Sequence, residues 1–293
     1  MKKGLFFLLA PCMFLTASFD VVAQRGGPPK VLLIVREDIK TGMMEDHARE
    51  ANNVVRIYAK AKSPYHRLAM VPVAGNENEV MYFWGFDTFA EMEKSNKDLD
   101  TMATTYKVDF DRNRHEGEDY HAAQRDSIAI LREDLSYKPA PEIGRMRYMR
   151  VETIRVKPGH QREFEEGRRM IKAAHEKANM DENMAIFQMV GGAPAGTYLV
   201  VIPWNSLDGL GTLPHGKAYQ DALGDDRRDK LDKISNDSIT FDDVAVYAIN
   251  PQLSYLSPEW VAADPNFWAL KPMPAAGNTP ATRKGGKVAA KKQ

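Results

Sequence analysis

Four landmarks return along this chain at a nearly constant spacing and in the same order. Lys40-Thr41-Gly42 and Lys157-Pro158-Gly159 stand 117 residues apart, and each leads into an amphipathic helix. Val73-Ala74-Gly75 and Met189-Val190-Gly191 end a strand at an offset of 116, and Tyr82-Phe83-Trp84 and Tyr198-Leu199-Val200 open the next strand at 116. Leu135-Ser136-Tyr137 recurs as Leu253-Ser254-Tyr255 at 118. Self-similarity at a fixed period marks a repeated structural unit, so the two stretches are expected to share one topology.

Hydrophobic periodicity reads the same way twice. In the first copy, residues 30–36 form a strand. Residues 43–60 form a helix with Met44, Ala48, Ala51, Val55 and Tyr58 on one stripe, and 66–74 and 79–86 form a hairpin. Asp87 or Thr88 caps the next helix, a polar helical stretch covers 98–125, and 127–132 is the last strand. The second copy gives a strand at 147–156, a helix at 161–179 and a hairpin of 184–190 with 197–202. A short helix capped by Asn205, a helix at 218–234 and a closing strand at 244–249 follow. This is βαββαβ twice. The expected class is therefore α+β: two tandem ferredoxin-like units, residues 30–139 and 145–258, packed sheet to sheet over a cavity. A spatial strand order of 4-1-3-2 puts strand 2 at an edge, where Pro72 is tolerated. In the strand at 147–156, Met149, Val151 and Thr153 are assigned to the helices. Tyr148, Arg150, Glu152 and Ile154 are assigned to the cavity.

Compartment follows from the ends. Residues 1–23 read as a signal peptide, with Lys2 and Lys3 before an apolar run and Val21-Val22-Ala23 as the cleavage site. The expected location is periplasmic or secreted. The only cysteine, Cys12, lies inside that signal, so the mature chain has no thiol for disulfides or thiolate chemistry. Forty basic residues balance forty acidic ones, which leaves no field for nucleic acid. Residues 259–293 read as a strap carrying Trp260, Phe267 and Trp268, followed by a disordered basic tail.

The duplicated βαββαβ order, the Lys-x-Gly lead-ins (Lys40/Gly42, Lys157/Gly159) and the Tyr-led third strands (Tyr82, Tyr198) resemble the dimeric α/β-barrel superfamily in its tandem form. The resemblance spans roughly residues 30–258 and implies a pseudo-dimeric α/β barrel. The superfamily includes cofactor-independent monooxygenases, haem-degrading enzymes, lactone isomerases and chlorite dismutase-like haem proteins. Its haem-degrading members use a Trp after the third strand, a His on the next helix and an Asn on the first strand. Trp204 and His215 match the first two, and no Asn matches the third. Haem is thus the one cofactor the resemblance leaves open.

The candidate ligand-binding residues are Tyr82, Trp84, Tyr148, Arg150, Glu152, His175, Tyr198, Trp204 and His215. The aromatic ones could line a pocket for a planar ligand. Arg150 and Glu152, two apart on one strand face, could orient a polar ligand or simply pair with each other. No catalytic residue stands out. His115-Glu116-Gly117-Glu118-Asp119-Tyr120-His121, placed on a helix, brings no three ligands to one face, so no metal site is expected. The first functional reading is an exported protein binding a small molecule between the two sheets. The alternatives are a cofactor-independent or haem-linked oxidoreductase and a non-catalytic structural or interaction module. Expected partners are a small molecule and further copies of the chain, without nucleic acid or stable membrane insertion after signal removal.

Overall fold

The computed structural model describes residues 28–111, 120–212 and 216–270. Residues 1–23 with Cys12, expected to be a signal peptide, as well as His115 to Asp119, His215 and the C-terminal residues from 271 on, lie outside the described residues.

Eight strands carry the fold: β1 (Val31–Ile39), β2 (Arg67–Ala74), β3 (Glu79–Phe86), β4 (His121–Leu131), β5 (Tyr148–Val156), β6 (Ala185–Gly191), β7 (Thr197–Trp204) and β8 (Ile239–Ile249). They close into one antiparallel barrel in the order β1-β3-β2-β8-β5-β7-β6-β4. The helices are α1 (Met44–Ala61), α2 (Phe89–Thr105), α3 (Gln161–Ala178), α4 (Lys217–Leu223), α5 (Asp225–Ser238), α6 (Pro258–Ala263) and α7 (Pro265–Trp268). Among the described residues, no helix is long and apolar enough to cross a membrane.

The lead-in turns have a backbone reason. Gly42 and Gly159 sit at φ of +83° and +90°, where a side chain is strained. The helices they introduce, α1 and α3, both have 18 residues and both end on a left-handed residue, Lys62 and Asn179. The buried face of α1 carries His47, Ala51, Val55 and Tyr58, spaced as one stripe.

Three expectations change. First, the sheets do not face each other as separate layers. The strand-2 edges are hydrogen-bonded to the last strands, β2 to β8 and β4 to β6, so no edge remains. Pro72 accordingly sits on no free edge. It lies at a register shift between Pro72 and Ala74, where a bulge excuses its missing N–H. Second, the faces of β5 are reversed. Leu32, Leu68, Met81, Ala129, Met149, Ala185, Leu199 and Tyr247, one from each strand, belong to a single apolar cluster. Only the inside of a closed barrel is shared by all eight strands, so Met149 and Val151 point inward. Tyr148 and Ile154 pack in the cluster on the outer, helix-covered face. Third, β4 and β8 each carry a bulge, Ala122 opposite the Asp38–Ile39 step of β1 and Thr240 opposite the Arg155–Val156 step of β5. Counting back from these sets Val35 level with Glu152. Val35 faces Tyr82 and Glu152 faces Val200, so Tyr82 is level with Val200 and not with Tyr198.

The barrel interior is packed with side chains rather than hollow. Trp268 and Leu256 join the interior cluster, and Phe267 and Val261 pack against it. The Trp268 indole donates to the Gly144 carbonyl at 2.8 Å. Near the other end of the inward faces, Glu79 is buried, accepts from the Tyr247 hydroxyl at 2.5 Å and lies 3.5 Å from Arg36.

Candidate metal centre

Glu37, His47 and His121 meet between α1 and the outer face of β1. Each comes from a different element for a local reason. Glu37 continues the outward alternation of Val31, Leu33 and Val35 on β1. His47 lies on the buried stripe of α1, one turn before Ala51, and is 2% exposed. Along β4, Ala129, Ser127, Arg125 and Ala123 alternate inward, and His121 would follow them. The register shift opposite Asp38 and Ile39 turns it over, so that it pairs with Ile39 on the outer face.

The result is a tight trio. His47 Nε2 donates to Glu37 Oε2 at 2.7 Å, and His121 Nε2 stands 3.3 Å from the same oxygen. The two imidazoles meet edge to face with centroids 5.3 Å apart. One ligand atom from each residue lies within 4.8 Å of the others. The Tyr82 hydroxyl comes within 3.5 Å of His47 Nε2. Burial alone would raise the Glu37 carboxyl, but His121 and His47 outweigh it and hold it down to about 2. Burial pushes the Tyr82 phenol up, and the Glu37 charge adds to this. His47 Nδ1 is buried with no hydrogen-bond partner among the described residues, a cost of about 1–3 kcal/mol.

The residues expected from sequence are spread over the outer face of the barrel. Of these, Tyr82 alone reaches the trio. Trp84 is half-buried beside it, with ring centroids 5.7 Å apart. Tyr148 packs in the outer cluster beneath α3. Arg150 and Glu152 pair with each other at 2.6 Å, and Arg168 of α3 joins at 3.3 Å. Burial works against the Glu152 carboxylate, yet the Arg168 and Arg150 charges keep its pKa below the ordinary value. His175, 1% exposed, engages the Ile171 carbonyl at 2.8 Å and Glu182 at 3.0 Å. The Tyr198 hydroxyl donates to Glu165 at 3.0 Å. Trp204 is buried against Gly209, where a Cβ would fall 2.4 Å from the indole.

No protein-family model and no curated protein matches the sequence. Solved structures do match in shape. A proposed monooxygenase from Fusobacterium nucleatum aligns with a TM-score of 0.50 at 10% identity, covering 76% of this chain and 93% of that one. An anthrone oxidase-like protein aligns at 0.48 and 10% identity, over 75% and 91%. A mutant chlorite dismutase from Candidatus Nitrospira defluvii aligns at 0.46 and 8% identity, over 76% and 92%. The chain has the dimeric α/β-barrel fold. Within that fold, the described residues do not fit haem. The face beneath α3 is filled by Ile154, Phe164, Tyr198, Val200 and Trp204, all 8% exposed or less. Both ring nitrogens of His175 are already engaged.

The sequence reading placed residues 98–125 on a helix, so it tested His121 only against its neighbours from His115 onward and never against Glu37 and His47. In fact β4 begins at His121. The signal that would have found them is the repeat itself. The residues level with Glu37, His47 and His121 in the second half are Ile154, Phe164 and Ile239.

Proposed function

We propose that this chain is an exported protein that holds one divalent transition-metal ion on Glu37, His47 and His121. The observation that carries this reading is the trio's convergence at a place the fold does not require to be polar. At the level positions of the second half, Ile154, Phe164 and Ile239 pack as apolar core. Two imidazoles and a carboxylate suit Zn, Cu, Fe or Ni rather than Mg or Ca. Three protein ligands leave coordination positions open, as catalytic sites do. A small-molecule ligand would then bind at the metal, on the side where His121 is 29% exposed, rather than between two sheets. An oxidoreductase is the enzymatic form of this reading, and the fold is shared with a protein described as a monooxygenase. Export rests on the signal-like pattern of residues 1–23.

We also read the two halves as copies of one ferredoxin-like unit. Each half orders its strands alike, β4-β1-β3-β2 and β8-β5-β7-β6. The matched bulges and the matched left-handed caps of α1 and α3 support the same reading.

Calorimetric titration of the metal-free mature chain with Zn²⁺ tests the centre. One equivalent should bind, and His121→Ala and Glu37→Gln should each weaken binding by at least about 100-fold, the upper end of what even supporting residues contribute. Wild-type affinity in both variants would refute the site.

A further inference from the structure

We propose that Tyr82 is the fourth protein ligand of this centre, through its phenolic oxygen. This rests on the metal reading above and deepens it: with four protein ligands, an incoming small molecule takes a fifth coordination position.

Geometry makes the first case. First-row metal bonds of about 2.0–2.2 Å set neighbouring ligand atoms roughly 2.8–3.6 Å apart in octahedral or tetrahedral sites. Around His47 Nε2 and Glu37 Oε2, the apoprotein already shows separations of 2.7, 3.3 and 3.5 Å, the last to the Tyr82 hydroxyl. Tyr82 lies on β3 directly opposite Val35, two residues before Glu37 on the same outer face. With 1% of its surface exposed, it cannot satisfy its hydroxyl from bulk water. His47 and Glu37 thus stand between Tyr82 on β3 and His121 on β4, the two strands that flank β1.

Charge makes the second case. The Arg67 guanidinium lies 4.7 Å from the centroid of the Tyr82 ring. It is fixed there by bonds to the Leu253 and Ala51 carbonyls at 3.2 and 3.1 Å. A held cation beside the ring offsets the negative charge of a metal-bound phenolate.

The second half makes the third case. Val200 is level with Tyr82 and is 1% exposed in the apolar core. Four polar residues in one half, Glu37, His47, Tyr82 and His121, thus correspond to Ile154, Phe164, Val200 and Ile239 in the other. Tyr82 changes with the trio, as a fourth member of the set would. On coordination the phenol O–H bond breaks, the proton leaves to solvent and an oxygen–metal bond forms, with no change in oxidation state.

Cu²⁺ is the probe, because phenolate–Cu(II) coordination gives a visible charge-transfer band. The full mature chain should bind one equivalent and develop that band, with tyrosinate ring modes in resonance Raman. Tyr82→Phe should still bind one equivalent, at least about tenfold more weakly, and lose the band. Tyr198→Phe should keep it. One bound copper without the band, or a band surviving in Tyr82→Phe, would overturn the fourth ligand while leaving the centre standing. Failure of the wild-type chain to bind copper would overturn both. A wild-type Raman spectrum without tyrosinate modes would overturn the fourth ligand without any variant.

Discussion

The spaces beneath α1 and beneath α3 have the same walls and opposite contents. Each is bounded by an 18-residue helix, by the first strand of its half and by a bulged last strand. Beneath α3 the filling is Ile154, Phe164, Val200 and Ile239, with the Phe164 ring tilted against that of Tyr198 at 4.7 Å between centroids. Beneath α1 it is Glu37, His47, Tyr82 and His121, with one imidazole nitrogen buried without a partner among the described residues. Apolar packing is therefore a sufficient solution for this architecture. Replacing a buried polar group by well-packed apolar residues is often neutral or stabilising. The polar filling is best explained by something other than folding.

The sharpest break of this comparison is Phe164→Ala. It should destabilise by about 3–5 kcal/mol in urea unfolding, as loss of a buried phenylalanine does. His47→Ala at the level position of the metal-free chain should cost clearly less, since it also removes an unsatisfied nitrogen. Equal costs would mean that both spaces are held by packing alone. Next comes Glu152→Gln, which leaves Arg150 and Arg168 without their carboxylate and should cost about 2 kcal/mol at neutral pH. The folded pKa of Glu152 is depressed, so its contribution is complete above the ordinary value of 4.5 and fades as pH falls below it. Wild type and Glu152→Gln should therefore converge in stability on acidification, and a constant gap down to acid would refute the charge interaction. The smallest effect belongs to the triple replacement Glu37→Ile, His47→Phe and His121→Ile. This chain should fold with stability unchanged or raised by about 1–2 kcal/mol, and should bind no Zn²⁺. Its unfolding would show that the polar trio is needed by the fold.

Local signals were legible in the sequence where the chain answers to itself. The turns at Gly42 and Gly159, the amphipathic stripes of α1 and α3 and the two hairpins all follow from short-range pattern. The barrel was legible only through the family resemblance, because β2·β8 and β4·β6 join strands far apart in sequence, and no local pattern encodes an edge finding a partner. The faces of β5 were misjudged for a related reason. The inside of an eight-stranded barrel is its driest compartment, so Met149 and Val151 go there, while the helix-covered face tolerates the Arg150–Glu152 pair. His121 was hidden twice. The start of β4 is exposed, Ala122 to Asp126 showing no apolar face, and the bulge reverses the side that alternation assigns.

Barrel closure has a mechanical consequence. Between Leu131 and Tyr148 a single covalent thread joins the two halves, while two antiparallel seams zip them along their flanks. The peptide link then governs how often the halves meet rather than how firmly they hold. A protease nick in that thread should leave one particle in solution, and its pieces should part only when the seams are unzipped.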